Sequence, residues 1–239
     1  MRTVIPDNKI NNNYTGILNE FIFLLKEKQG ENLLSVYLSG SYARGDANEN
    51  SDMDLFCIFG KINSDVLRDV GFCARHTSVD YDRLEINSQC MSLDEFTSAE
   101  FENWSEHSVR ALDSVLLYGK NMCGELPDKN KISAIYKKYL AEIIMSIRHY
   151  ISVDEPPEKL SHEKIKRYIL KPLTFALRLE CYCRAGIFPV SEKELFENCS
   201  DDKKFLLEYY SDKEKFDNDI LEDHRKVLAK IHSAVCAFL

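Results

Sequence analysis

No stretch of the sequence approaches the roughly 18 consecutive apolar residues that mark a membrane-crossing helix, so no such span is expected. Residues 1–13 are polar and lack the apolar core of a signal peptide, and a cytoplasmic location is the expectation. There is one Trp, no internal repeat and no low-complexity tract, which excludes repeat architectures and collagen-like chains. The eight cysteines form no CxxC pair and read as reduced thiols, most of them core residues. Cys181 and Cys183 have no second ligand pair nearby, so no zinc site is expected there. Positive charge is also in short supply. The net charge is −8, and residues 1–127 hold 11 Lys and Arg against 20 Asp and Glu. A nucleic-acid binder would show a broadly basic face, and this half does not offer one.

What is present is enough apolar residue for real cores, 44% of 239 residues, in one large domain or two small ones. The organising stretch is Gly40-Ser41-Tyr42-Ala43-Arg44-Gly45-Asp46, followed by Ser51-Asp52-Met53-Asp54-Leu55-Phe56. The apolar run 33–38 before it reads as a buried strand, and the Gly-Ser pair as a turn opening a short helix. A second strand begins at Asp52. Alternation in a strand puts Asp52 and Asp54 on one face and Met53, Leu55 and Cys57 on the other. Two adjacent carboxylates suit Mg²⁺, which takes one or two carboxylates and completes its shell with water and phosphate. A metal pair roughly 3.5–4 Å apart clamps the attacking and leaving oxygens of a phosphoryl displacement. Gly40 lets the backbone come close to a triphosphate, and the Ser41 hydroxyl and nearby N–H groups can hold its oxygens.

These residues resemble the signature of the DNA polymerase β-like nucleotidyltransferase superfamily, and within it the bacterial aminoglycoside nucleotidyltransferase group. The resemblance implies an enzyme of α+β class: a small mixed sheet with helices, then an all-α bundle covering the nucleotide cleft. It implies two Mg²⁺ ions bound by Asp52 and Asp54, and ATP as co-substrate held at Gly40 and Ser41. A third carboxylate on a later strand would bind metal, act as general base, or both. Arg83-Leu84-Glu85-Ile86 resembles that element and singles out Glu85, with Asp80 and Asp82 as alternatives. Arg44 would touch phosphate, or pair with Asp46 or Asp52 and shape the loop.

Along the chain, helical spacing covers residues 12–28, a short helix with a weak apolar face covers 66–75, and a strand covers 81–92. Ser92 with Glu95 makes a capping box for a helix expected to run through Trp104, with another helical run at 106–114. Val115 to Gly119 reads as an edge strand. Linker composition over 120–130 places a boundary near 127, giving a catalytic domain, 1–127, and a helical bundle, 128–239. The bundle should contain helices at 131–151, from Ser161 to Gly186 with a kink at Pro172, after Ser191, at 201–211 and at 216–238. Residues 128–178 are basic, 11 Lys and Arg against 6 acids. Lys164, Arg167, Lys171 and Arg178 share a helical face by spacing. Lys171 is the chosen triphosphate contact, because related enzymes place a lysine on a bundle helix.

The expected reaction is Mg²⁺-dependent transfer of AMP from ATP to a hydroxyl of a small cationic acceptor such as an aminoglycoside. Transfer to tRNA or to a protein hydroxyl is the alternative, followed by an inactive nucleotide-binding module. The expected assembly is a monomer or a homodimer.

Overall fold

The computed structural model describes residues 12–47, 51–80, 84–105, 107–123 and 128–238. Its first elements are α1 (Asn12–Gln29), β1 (Leu33–Ser39), α2 (Gly40–Arg44), β2 (Met53–Phe59) and α3 (Ser64–Asp80). Next come β3 (Ile86–Ser92), α4 (Leu93–Thr97), α5 (Ala99–Ser105), α6 (Arg110–Asp113) and β4 (Ser114–Gly119). The sheet runs β3-β2-β1-β4, with β2 parallel to β3 and the other two pairings antiparallel. β4 lies at an edge, as its short apolar run suggests.

Alternation divides the sheet into two faces. Met53, Leu55, Cys57 and Phe59 of β2 join Val36 and Leu38 of β1 and Ile86 of β3 on one face. That face is closed by Ile17, Leu18, Phe21 and Leu25 of α1 and by Val66, Val70 and Cys73 of α3. α3 is longer than its pattern suggests. Its buried stripe is built from Val66, Val70, Cys73 and Thr77, while Leu67, Phe72 and Val79 point to solvent. Burial raises the Cys73 and Cys90 thiols to about 11 and Cys57 well above its ordinary range, which fits packing rather than reactivity. On the opposite face Tyr37, Phe56, Ile58 and Met91 form a smaller cluster under Phe96, Phe101 and Leu116.

The helix expected over Ser92–Trp104 is divided. Ser92 caps α4 with the full capping box, but Ser98 is extended and α5 starts afresh after it. Gly119 closes β4 at φ +81°, where a Cβ would fall 1.9 Å from the Leu34 carbonyl oxygen, so only glycine fits.

Backbone contacts separate the chain into two units, Met1–Pro127 and Asp128–Leu239. The second unit is all helical: α7 (Lys129–Ser152), α8 (His162–Ile165), α9 (Lys171–Ala185), α10 (Glu192–Asn198), α11 (Lys204–Ser211) and α12 (Lys213–Cys236). α7 buries one stripe, Ile132, Ile135, Tyr136, Leu140, Ile143, Ile144 and Ile147. Pro172 has no N–H to give, and its ring crowds the carbonyl four residues back. The chain answers with a π-helical turn over Lys166–Leu170, in which the Lys171 N–H donates to the Lys166 carbonyl. This irregularity falls just ahead of Pro172, where the kink is expected.

Candidate active site

The site is assembled where β1 ends and β2 begins. Gly40 takes φ +67° and opens α2, and a Cβ there would lie 2.6 Å from Asp54 Oδ2. The bare glycine backbone therefore sits directly against the Asp54 carboxylate. Ser39, at the N-cap position, does not cap α2 with its side chain. Its hydroxyl lies 3.0 Å from that of Ser114 instead. Tyr42 anchors the helix from beneath. Its ring meets Tyr14 edge-on at 4.9 Å, and its hydroxyl donates to the Ser51 carbonyl at 3.4 Å, one residue before Asp52. Burial raises its pKa.

Asp54 lies on the sheet face opposite Met53 and Leu55, paired with Ser39 on one side and Asn87 on the other. Asn87 Nδ2 donates to Asp54 Oδ1 at 3.2 Å. Glu85 is exposed and stands just before β3, where its carbonyl accepts from Met53 N–H at 2.8 Å. Continuing the parallel register back by one residue from Met53–Ile86 sets Glu85 beside Asp52. Asp52 and Glu85 thus immediately precede the adjacent starts of β2 and β3, and Asp54 is the second residue of β2. Among the described residues, however, no three or more His, Cys, Asp and Glu side chains are gathered tightly enough to hold a metal ion. Asp80 is the last residue of α3, and Asp82 lies outside the described residues.

Arg44 is held by carboxylates. Its Nη1 donates to both oxygens of Asp113 at 3.0 and 3.1 Å, and its Nε donates to Asp46 at 3.3 Å. Burial pulls its pKa down, but Asp113 and Asp46 outweigh that and the net shift is upward. This fixes α2 to α6. Asp113 lies 69 residues away in sequence, and only the pairing of β1 with β4 brings it near.

Within the helical unit, Lys171 is exposed at the start of α9. Arg178 departs from the shared basic face read from spacing: it is buried and donates to the carbonyls of Pro189 and Ser191. The π-helical turn shifts Lys164 and Arg167 relative to Lys171, but Lys171 and Arg178 both lie in α9 seven residues apart. What separates those two is the chain after α9, whose Pro189 and Ser191 carbonyls cover the Arg178 guanidinium.

A small carboxylate-bearing sheet with a glycine-serine helix start against it is the architecture of nucleotidyl transfer, and residues 18–103 match the family model described as Nucleotidyltransferase domain. The match lies within the N-terminal unit and covers about a third of the chain. A curated relative, a Methanocaldococcus jannaschii protein named provisionally as a protein adenylyltransferase, is 52% identical over 52 residues. That match spans 22% of this chain and about a third of the length of the relative. Among solved structures, spectinomycin adenyltransferase AAD(9) from Enterococcus faecialis, crystallised with ATP and spectinomycin, superposes with a TM-score of 0.57 at 12% identity. The superposition covers 92% of this chain and 98% of that one and shows a common fold.

Proposed function

We propose that this protein transfers AMP from ATP to a hydroxyl of a small cationic acceptor such as an aminoglycoside, with Mg²⁺ as its metal. One observation carries the proposal: the backbone of Gly40 lies against the carboxylate of Asp54, so a phosphate chain approaching α2 meets the Asp52–Asp54 pair. Hard carboxylate oxygens on a strand end are the donor set Mg²⁺ prefers, and Asp52, Asp54 and Glu85 are the residues that would hold it. Bound there, Mg²⁺ would supply charge neutralisation and a clamp on the attacking and leaving oxygens. The protein's own part is binding and orientation. Gly40 and Ser41 hold the β- and γ-phosphates, and Asn87 keeps the Asp54 carboxylate turned toward them. Glu85 takes the acceptor proton as the acceptor oxygen bonds to the α-phosphorus. The bond from the α-phosphorus to the bridging oxygen breaks, and pyrophosphate leaves with the electron pair.

The fold shared with an adenyltransferase that binds spectinomycin supports the small acceptor. The acidic balance of residues 1–127 does so too, since it attracts cations. A second reading, transfer to a protein hydroxyl, is favoured by the 52% identity over 52 residues to the Methanocaldococcus jannaschii relative. The test is pyrophosphate release with ATP and Mg²⁺ against an aminoglycoside panel that includes spectinomycin, and separately against cell protein and total tRNA. Product masses identify the acceptor. Turnover with an aminoglycoside establishes the first reading; adenylylated protein without small-molecule turnover replaces it with the second.

A further inference from the structure

Arg110 lies beyond the segment matched by the family model and carries no role in the sequence reading. It is the first residue of α6, the one-turn helix ahead of β4. Its guanidinium carbon stands 4.4 Å from the centroid of the Phe56 ring, and Phe56 is two residues past Asp54 on the same face of β2. Nη1 donates to Ser39 Oγ at 3.4 Å, and Nη2 donates to Gln89 Oε1. Ser39 is the β1 partner of Asp54, and Gln89 is the β3 partner of Phe56. The guanidinium therefore lies across three strands, one residue pair from Asp54, and side chains two apart on a strand are about 6.5–7 Å apart.

Its position marks a border. On one side are the apolar residues Tyr37, Phe56, Ile58 and Met91; on the other is the polar row Ser39, Asp54 and Asn87. The apolar side lowers the local dielectric and strengthens the interaction of the guanidinium with an anion. Phe56, Ser39 and Gln89 help to fix its plane, and a planar fork held in place matches two oxygens of a phosphoryl group. Gly40 directs the β- and γ-phosphates to the α2 end, while Glu85 marks the acceptor end. On the proposed function the α-phosphoryl group would lie between them, over Asp54 and one residue pair from Arg110.

Building on the nucleotidyl-transfer reading, we propose that Arg110 contacts the non-bridging oxygens of the transferred α-phosphoryl group. It stabilises their charge while the acceptor oxygen bonds to phosphorus and pyrophosphate departs with the electrons of the broken bond.

A ladder of nucleotide ligands tests this. Adenosine, AMP and α,β-methylene-ATP are titrated calorimetrically with Mg²⁺ into the wild type, Arg110→Ala, Arg110→Lys and Ser41→Ala. Arg110→Ala is expected to weaken AMP and α,β-methylene-ATP alike, by about tenfold, and to leave adenosine unchanged. Arg110→Lys keeps the charge without the fork and should lose about threefold. Ser41→Ala should weaken the triphosphate analogue and spare AMP. A loss that includes adenosine equally, or no loss for AMP, overturns the assignment. If Arg110→Ala does not fold, as its thermal melt would show, Arg110→Lys decides by the same pattern. A wild type that binds neither AMP nor the analogue removes the nucleotidyl-transfer reading itself. A wild type that binds both, beside an Arg110→Lys that matches it, removes only this contact.

Discussion

The two faces of β2 divide the labour of the N-terminal unit. On one face Met53, Leu55, Cys57 and Phe59 are sealed under α1 and α3, with at most 1% of their surface exposed. On the other, Phe56 and Ile58 are covered by the α4–α5 segment, but Asp54 at the strand's beginning is only half-buried. One strand thus buries its odd-numbered residues along its whole length, and its even-numbered residues only after Asp54. The difference teaches that the proposed chemistry is confined to one position at the start of one face, because neighbouring side chains along a strand enter different environments. Substitutions on the two faces should behave differently.

The largest effect is expected from Asp54→Asn. It removes a charge from the proposed metal-binding pair while keeping shape and the Asn87 contact. Transfer should fall at least about 10³-fold, in line with the loss of a principal electrostatic group, while the melting temperature stays within about 2 °C. Retained turnover in a steady-state assay would contradict the metal role. On the sealed side, Phe21→Ala empties a position with no exposed surface. It should cost about 3–5 kcal/mol in urea unfolding and leave kcat per folded molecule near wild type.

Gly40 sits where the two behaviours meet. Gly40→Ala forces a side chain into positive φ and against Asp54 Oδ2, so it should cost about 1–2 kcal/mol and also weaken ATP binding. Loss of one without the other would show that the close approach does not matter to the ligand. Arg44→Gln should be milder for function. It leaves Asp113 and Asp46 without their guanidinium, for about 1–3 kcal/mol of stability, with little change in ATP affinity if Arg44 shapes the loop and does not touch phosphate. Smaller again is Tyr37→Phe on the covered face. It removes a hydroxyl that accepts from the Met122 and Cys123 N–H groups at 2.5 and 3.2 Å, for about 1–2 kcal/mol in the same unfolding experiment and no change in transfer.

Much of the site was readable from local pattern. The runs that make β1 and β2, the Gly-Ser turn, the inward set Met53, Leu55 and Cys57, and the Ser92–Glu95 capping box depend on near neighbours, which a sequence displays directly. Sequence reading failed where the cause was distant or geometric. Arg44 meets Asp113 only after β1 and β4 pair, and no spacing announces a partner 69 residues away. Arg110 was missed for the same reason: a lone arginine in a four-residue helix acquires meaning from Phe56, Ser39 and Gln89 on three strands. Arg178 was misplaced because spacing along α9 does not show that the later Pro189–Ser191 segment covers it, and Pro172 was the available signal that the helical period ahead of it would change. The extent of α3 was obscured by exposed Leu67, Phe72 and Val79, which dilute the stripe that is buried. Lys171 rests on resemblance alone.

The most direct test tracks the label. ATP carrying radioactive phosphorus at the α- or the γ-position is incubated with the protein, Mg²⁺ and the same aminoglycosides, cell protein and tRNA. Transfer at the Asp52–Asp54 site predicts that α-label enters the acceptor, that γ-label leaves in pyrophosphate, and that Asp54→Asn does neither. γ-Label in the acceptor, or α-label transfer that survives Asp54→Asn, would contradict it.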